Sequence, residues 1–301
     1  MSDLIRISDL SKKYRRVPVL DGLHLNVPEG SVFGLVGPNG AGKTTTIKIL
    51  MNILQAGSGS AEVLGVESRR LTPADFTRIG YVSENQEMPL WMTVEYFLGY
   101  LKPFYPGWDD ALAMDMVRQF ELPLGRKLGH LSRGMLMKAA LASSLAYRPR
   151  LLVLDEPFSG LDPVVREDLI EGLIGSAAET TIFVSSHDLG DIETFASHIG
   201  YLDRGRLQFS EEMTELSSRF RQIEVTVEPP AVMPGNGLWP AQWLRPESTT
   251  AVVRFVETRF DSERTVGEIR RLFGGVREVS VNPMSLREIF ITLARNTAKL
   301  A

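Results

Sequence analysis

The octapeptide GPNGAGKT, Gly37 to Thr44, decides the fold of this chain. It matches the pattern G-x-x-x-x-G-K-[ST] at every fixed position, follows the strand-like run SVFGLV and opens a run with apolar residues at helical spacing. Glycines let consecutive backbone N–H groups curl around phosphate oxygens, and a helix N-terminus adds positive potential. A plain helix-capping turn needs neither the lysine nor this context, so we expect a phosphate-binding loop. Its helix is predicted to be closed by Gly57 and Gly59.

Polar residues follow two apolar strand-like runs later in the chain. LLVL (Leu151–Leu154) leads into Asp155 and Glu156, and TIFV (Thr181–Val184) leads to His187. Ligands gather at the carboxyl ends of strands in open α/β sheets. Taken alone, an acidic strand end and a lone histidine would more simply be structural. Beside a phosphate loop, Asp155 is expected to hold Mg²⁺, Glu156 to polarise the attacking water, and His187 to lie near the terminal phosphate.

The composition excludes several classes of function. The 301 residues carry a formal net charge of −4, which does not favour a broad nucleic-acid interface. There is no cysteine, so disulfides, thiolate metal sites and cysteine nucleophiles are excluded. No apolar run approaches the ~20 residues that cross a bilayer, and the first residues lack a signal-peptide core. We therefore expect a cytoplasmic protein that meets a membrane only through a partner.

The chain is predicted to contain two domains. Short strands and turns up to about residue 65 precede a mostly helical segment at about 88–147, and strands alternating with helices follow, which indicates a parallel sheet covered on both faces. The composition changes near Arg219, so the main domain is placed at 1–219 and a small α+β domain at 220–301. That second domain is predicted to have strands at QIEVTV, AVVRFV and VREVSV, helices at SERTVGEIRRLF and SLREIFITLARN, and a Pro/Gly-rich loop at 228–237.

The order of the motifs resembles that of the ATP-binding cassette (ABC) ATPases. GPNGAGKT stands at the Walker A position, LSRGMLMK (131–138) at the signature position, LLVLDEP at Walker B, SGLDP (159–163) at the D-loop and SSHD at the switch histidine. The resemblance covers roughly residues 4–218. It implies an α/β P-loop NTPase of ABC type, with a mixed sheet core and a helical subdomain, that hydrolyses ATP with Mg²⁺ as cofactor.

The resemblance also implies functional roles for particular residues. Tyr14 resembles the aromatic that stacks on adenine, although an exposed ring at a strand end is a simpler explanation. Glu84 falls where many members carry the Q-loop glutamine, and either Glu84 or Gln86 serves there. The implied ATP-binding residues are Tyr14, Gly37, Pro38, Asn39, Gly40, Ala41, Gly42, Lys43, Thr44, Thr45, Ser132 and Gly134, the metal-binding residues are Thr44, Glu84 and Asp155, and the catalytic residues are Glu156 and His187.

Three departures from the general family pattern point to one subgroup. The signature reads S-R-G-M, the Q-loop position is acidic, and SLREIF (285–290) resembles a tail element of the ATP-binding subunits of ABC-2-type exporters. Amphipathic packing would explain the tail match alone. The resemblance therefore implies export, of a substrate that the sequence does not identify.

Partners are implied in the same way. ATP held by the phosphate loop of one subunit would be closed over by Ser132 and Gly134 of a second copy, in a head-to-tail homodimer. Asp162 would lie at that interface, although an Asp-Pro turn explains it nearly as well. An integral membrane permease would be held near the Q-loop and the segment Met88–Met116, with the chain on the inner face of the cell membrane. No nucleic-acid partner is expected.

Other classes of protein remain open at the level of sequence. The main alternative is a soluble ABC-type ATPase with a non-transport regulatory role. A module that binds ATP but barely hydrolyses it is disfavoured by the intact Glu156 and His187. A P-loop kinase would need an acceptor site and a lid, which we do not find in the sequence.

Overall fold

The computed structural model describes residues 2–176, 180–229 and 239–300. The chain forms two compact units, residues 1–210 and 211–301, whereas the sequence places the boundary after residue 219. The difference arises because Arg219 donates hydrogen bonds to Glu211 and to the carbonyl of Thr258, both in the second unit. The segment 228–237, predicted as a loop, lies mostly outside the described residues.

Strands and helices follow one another along both units. The strands are β1 (Asp3–Tyr14), β2 (Val17–Pro28), β3 (Val32–Val36), β4 (Ser58–Val63), β5 (Val66–Glu67), β6 (Ile79–Ser83), β7 (Leu151–Asp155), β8 (Thr181–Ser186), β9 (His198–Asp203), β10 (Arg206–Glu212), β11 (Arg221–Val227), β12 (Trp243–Ser248), β13 (Val252–Glu257) and β14 (Val276–Pro283). The α-helices are α1 (Lys43–Leu50), α2 (Pro73–Phe76), α3 (Val94–Leu101), α4 (Asp110–Gln119), α5 (Arg133–Leu145), α6 (Pro163–Ser176), α7 (Leu189–Glu193), α8 (Met213–Arg219), α9 (Ser262–Leu272) and α10 (Leu286–Leu300).

The first unit contains a six-stranded sheet in the order β10-β9-β3-β8-β7-β6. The pairs β3–β8, β3–β9, β6–β7 and β7–β8 are parallel, which confirms the predicted parallel sheet. Every residue of β3, β7 and β8 is buried, as continuous apolar strands covered on both faces require. The register brings Ser83, Asp155 and Ser185 side by side at the carboxyl edge of the sheet.

A second sheet of the first unit, in the order β2-β1-β4-β5, is antiparallel. The prediction that Gly57 and Gly59 close the first helix is wrong, because α1 already ends at Leu50. Gly59 has a φ of +78°, and a Cβ on it would lie 2.2 Å from the carbonyl oxygen of Asp9 in β1. These glycines instead allow β4 to approach β1 closely, which a helical pattern does not reveal.

The predicted helical segment, 88–147, contains α3, α4 and α5 between β6 and β7. Asp109 caps α4 as predicted, since its Oδ1 accepts hydrogen bonds from the backbone N–H groups of Ala111 and Leu112 at 2.9 and 3.0 Å. Ser132 caps α5, with its Oγ 3.2 Å from the backbone nitrogen of Met135. The side chain that the family resemblance places opposite a phosphate is therefore also a helix cap.

The second unit is built on an antiparallel sheet in the order β12-β13-β11-β14. The predicted strands correspond to β11, β13 and β14, and the predicted helices to α9 and α10. The strand β12 was not predicted, because its register shifts around Arg245, whose φ is +52°, and the apolar alternation is lost there. The core of this unit consists of Ile223, Val225, Val227, Trp243, Val253, Phe255, Ile269 and Phe273.

Candidate active site

The loop between β3 and α1 has a backbone that favours glycine at several positions. Gly40 and Gly42 have φ values of +81° and +113°, in the left-handed region. A Cβ on Gly37 would lie 2.0 Å from the carbonyl oxygen of Leu202 in β9. The loop therefore turns tightly and leads directly into the N-terminus of α1. Of its other members, Pro38, Asn39 and Thr44 are exposed, Ala41 is buried and Thr45 is half-buried.

Lys43 joins the loop to the end of β7. Its side chain is almost fully buried, and its Nζ lies 2.7 Å from the carbonyl oxygen of Gly37 and 3.2 Å from that of Pro38. The same nitrogen lies 3.1 Å from Glu156 Oε1. A buried ammonium group is costly unless it has such polar partners. The cation is thus held between the phosphate loop and the carboxylate that follows the strand.

Asp155 is buried at the carboxyl end of β7 and contacts two hydroxyl groups. Its Oδ1 accepts hydrogen bonds from Thr44 Oγ1 at 3.0 Å and from Ser185 Oγ at 2.8 Å. Burial raises the pKa of Asp155, partly offset by these hydrogen bonds. Thr44 and Asp155 offer hard oxygen donors of the kind that fits Mg²⁺, which keeps few protein ligands beside nucleotide phosphates. In the described parts of the chain, no three His, Cys, Asp or Glu side chains gather into a richer metal site.

Glu156 and His187 are in contact at the adjoining strand ends. Glu156 Oε2 lies 2.7 Å from His187 Nδ1 and 3.3 Å from the His187 backbone nitrogen. The backbone of Glu156 has a φ of +52°, which is strained for a residue with a Cβ, and its N–H donates to Ser185 Oγ at 3.0 Å. Strained backbone of this kind often occurs at functional sites. The two side chains are therefore held together at the carboxyl end of the sheet.

The two candidates for the Q-loop position lie in different surroundings. The backbone N–H of Glu84 donates to the carbonyl of Asp155 at 3.0 Å, and its carboxylate contacts Arg133 and Ser159. Gln86 instead lines a cavity of about 370 Å³ beside the helical segment, together with Pro89 and other side chains. Only Glu84 is hydrogen-bonded to the strand end that carries the carboxylates.

Three sequence-predicted residues stand apart from this group. Within the described residues, Ser132 and Gly134 make no hydrogen bond to the side chains around Lys43 and Glu156. Gly134 packs tightly against α6, since a Cβ on it would lie 2.6 Å from Val165 Cγ1. Tyr14 is 46% exposed at the end of β1, with Lys12 Nζ 5.7 Å from its ring centre.

Comparison with known proteins identifies the family. Residues 20–159 match the family model described as ABC transporter. The ABC transporter ATP-binding protein YtrB of Bacillus subtilis is 32% identical over 227 residues, which are 75% of this chain and 77% of that protein. The chain belongs to the ABC transporter ATP-binding proteins. The bacitracin transport ATP-binding protein BcrA of Bacillus licheniformis is 33% identical over 228 residues, or 74% of each protein.

The fold of this ABC ATPase also agrees with solved structures. A protein described as the ATP binding subunit of an ABC transporter superposes with a TM-score of 0.65 at 27% identity, over 71% of this chain and 92% of that one. The predicted ATP-binding and ATP-hydrolysing activity is therefore confirmed at the level of the family. The relatives give no support to a non-transport regulatory role. No helix in the described ranges has the length and apolar character of a membrane span.

Two further polar residues of this ABC ATPase, Ser185 and Arg166, are not indicated by the sequence motifs. Ser185 bonds to both Asp155 and the backbone of Glu156, and the signal for it was the parallel pairing of two strands that end in polar residues. Arg166 of α6 forms an ion pair with the buried Asp191 of α7 at 2.7 Å. Burial raises the pKa of Asp191, and the arginine opposes that rise. These two helices follow the D-loop and the switch histidine, so the pair links the segments that flank the site.

Proposed function

We propose that this chain powers a separate membrane permease, of the ABC-2 export type, by ATP-driven closure of a head-to-tail homodimer. The observation that carries the proposal is the convergence of Lys43, Asp155, Glu156 and His187 at one edge of the sheet while Ser132 and Gly134 stand apart. A site divided in this way within one chain is complete only when a second copy supplies the missing groups.

The catalytic roles follow from the contacts at the strand ends. Glu156 orients and deprotonates the attacking water, and His187 holds the carboxylate through Nδ1 beside the terminal phosphate. Thr44 and Asp155 would hold Mg²⁺, and Glu84 would bind the ion or its water. When bound, that ion neutralises charge that develops on the phosphates. Lys43 contributes a buried positive charge at the same place.

Nucleotide binding would extend from the loop to the end of β1. Backbone N–H groups of the loop, which Pro38 lacks, and the N-terminus of α1 would meet the phosphates. The exposed ring of Tyr14 offers a face on which adenine can stack, as aromatic side chains do with any base.

The partner subunit would complete the site through α5. The first N–H groups of a helix have no partner within the helix, and its N-terminus carries a partial positive charge; both favour a terminal phosphate. Gly134 allows α5 to pack closely against Val165 of α6. The D-loop residue Asp162 accepts a hydrogen bond from the backbone N–H of Val165 at 3.1 Å. The contact between α5 and α6 at Val165 therefore adjoins Asp162, which is proposed to lie at the dimer interface.

The permease would dock on the helical segment. Large apolar side chains are 49–65% exposed there, and this set consists of Leu90, Trp91, Tyr96, Tyr100 and Phe104. Exposed clusters of this kind mark interaction surfaces. The cavity of about 370 Å³ that Gln86 lines lies beside Tyr100, so the docking surface adjoins the Q-loop. A chain held in this way would be peripheral on the inner face of the membrane.

Export is proposed from the subgroup resemblance and from the transport named for BcrA. The second unit is proposed to be an accessory domain.

The test of the permease proposal is purification of the chain from its own membranes, with identification of the integral membrane protein that accompanies it. Tyr96→Glu is expected to release that partner without changing ATP hydrolysis, whereas the equally exposed Ile53→Glu is expected to retain it. Retention of the partner by Tyr96→Glu would refute the docking surface.

A further inference from the structure

Two other segments of the first unit contact the carboxylate of Glu84. Arg133, the first residue of α5, forms an ion pair between its Nη2 and Glu84 Oε1. The hydroxyl of Ser159, in the loop after β7, donates to the same oxygen at 3.0 Å. The backbone N–H of Glu84 is bonded to Asp155, which keeps this carboxylate beside the end of β7. The cluster therefore joins the Q-loop, the signature helix and the D-loop region.

The backbone near the ion pair leaves room for the guanidinium group. Gly160 has a φ of +67°, in the left-handed region, and a Cβ on it would lie 2.9 Å from Arg133 Nη1. A larger residue at this position would strain the backbone and push against the guanidinium. The loop after β7 is thus shaped to accept an arginine from α5.

Helix formation alone does not explain a cation at this position. Arg133 directly follows the N-cap Ser132, where the helix dipole disfavours positive charge. The arginine is about half exposed, and exposed ion pairs stabilise folded proteins only weakly. The positive charge is therefore favourable here chiefly because residue 84 is acidic.

We infer that Arg133 is a positioning residue for Glu84, which neutralises the carboxylate and holds it beside the nucleotide site. The inference rests on the roles proposed above for Glu84 and for Ser132. An uncompensated carboxylate near the triphosphate would repel ATP. In the proposed dimer, Ser132 and Gly134, on either side of Arg133, meet the nucleotide of the partner subunit. Glu84 serves the nucleotide of its own subunit. The ion pair between Arg133 and Glu84 therefore also connects the two nucleotide sites through one protomer.

A cycle of substitutions in the full chain tests this pairing. Arg133→Gln keeps most of the side-chain length and removes the charge, so we expect the half-saturating concentration of Mg·ATP to rise roughly threefold or more, with a smaller change in kcat. In a Glu84→Gln background the same substitution is expected to change half-saturation by less than about twofold, because no carboxylate remains to be neutralised. Arg133→Lys keeps the charge and is expected to bind ATP like the unaltered protein.

The matched control lies at the opposite edge of the sheet. Arg150 forms an ion pair with Glu29, and its side chain is nearly as exposed as that of Arg133. Arg150→Gln is therefore expected to leave the half-saturating concentration of Mg·ATP unchanged. The pairing is refuted if Arg133→Gln raises the half-saturating concentration equally in both backgrounds, or does not raise it at all. Full hydrolysis by Glu156→Gln would instead overturn the proposed catalytic site, whatever the cycle shows. Thermal unfolding of each variant separates binding from folding.

Discussion

The side chains of Glu156 and His187 are in direct contact, with Oε2 of the carboxylate 2.7 Å from Nδ1 of the ring. The other carboxylate oxygen lies 3.1 Å from Lys43 Nζ. Each oxygen of Glu156 thus has its own partner, from the strand end on one side and from the phosphate loop on the other. This arrangement fixes the orientation of the carboxylate before a water molecule must be activated.

Glu156→Gln is expected to bind ATP while hydrolysing it at least ~100-fold more slowly, because the amide cannot accept a proton. The variant should accumulate as an ATP-bound dimer, detectable by gel filtration or light scattering. Its steady-state phosphate release is the primary measurement. Glu171→Gln, at an exposed position of α6, is the control and should hydrolyse ATP normally. Normal turnover of Glu156→Gln would remove this residue from its proposed role.

Ser132→Ala is expected to weaken ATP-dependent dimerisation and to leave nucleotide binding by the monomer near normal. Because Ser132 also caps α5, the substitution should lower the free energy of unfolding by about 1 kcal/mol. Thr93→Ala is a matched control, since Thr93 caps α3 through the same contact at 3.2 Å to Tyr96. The control should lose similar stability and still dimerise. Equal loss of dimerisation in both variants would show that Ser132 acts only as a helix cap.

Asp155→Asn is expected to raise the melting temperature of the nucleotide-free protein at neutral pH. Burial raises the pKa of Asp155 in the folded state, so the ionised carboxylate opposes folding at neutral pH. That penalty falls as pH drops through the folded-state pKa, and the difference between variant and unaltered protein should shrink in mild acid. Mg·ATP should stabilise the variant less than the unaltered protein, because a proposed metal ligand is gone. A lower melting temperature for the variant than for the unaltered protein would contradict the expectation that the ionised carboxylate opposes folding.

Trp243→Phe is expected to lower the stability of the second unit by about 1–3 kcal/mol. The fully buried Glu257 accepts a hydrogen bond from Trp243 Nε1 at 2.6 Å, and the phenyl ring cannot replace that donor. Adding Glu257→Gln should recover part of the loss, since a neutral amide is less costly to bury than a carboxylate. Calorimetry of the single and double variants measures the difference. Additive losses would show that this hydrogen bond does not couple the two residues.

The parts of the site that come from local motifs were predictable from the sequence. The phosphate loop and the apolar strands each show a pattern within a few residues, and parallel pairing brings their polar ends together. The structure accordingly brings Lys43 into contact with Glu156, and Ser185 is hydrogen-bonded to both Asp155 and Glu156. The roles proposed for these residues remain predictions for the experiments above.

Contacts between distant segments were not predictable in the same way. The ion pair between Arg133 and Glu84 joins residues 49 positions apart, and neither one signals the other in a single sequence. The local sequence pattern predicts a helix terminator at Gly59. Its actual role, a close approach to β1, depends on sheet register and is not visible in that pattern. The bulge at Arg245 hid β12 for a related reason, since it breaks the alternation that identifies a strand. Tertiary register, rather than local propensity, decides all three.

The left-handed backbone conformation of Glu156 lowers stability locally, at a residue that is proposed to be catalytic. Glycine adopts a φ of +52° without strain, so Glu156→Gly would relieve a local backbone cost of roughly 1 kcal/mol. It would also remove the carboxylate that contacts the buried ammonium of Lys43, so the relief of strain is opposed by the loss of an ion pair. Engineering of a more robust version of this protein should hold position 156 fixed and seek its gains away from the end of β7.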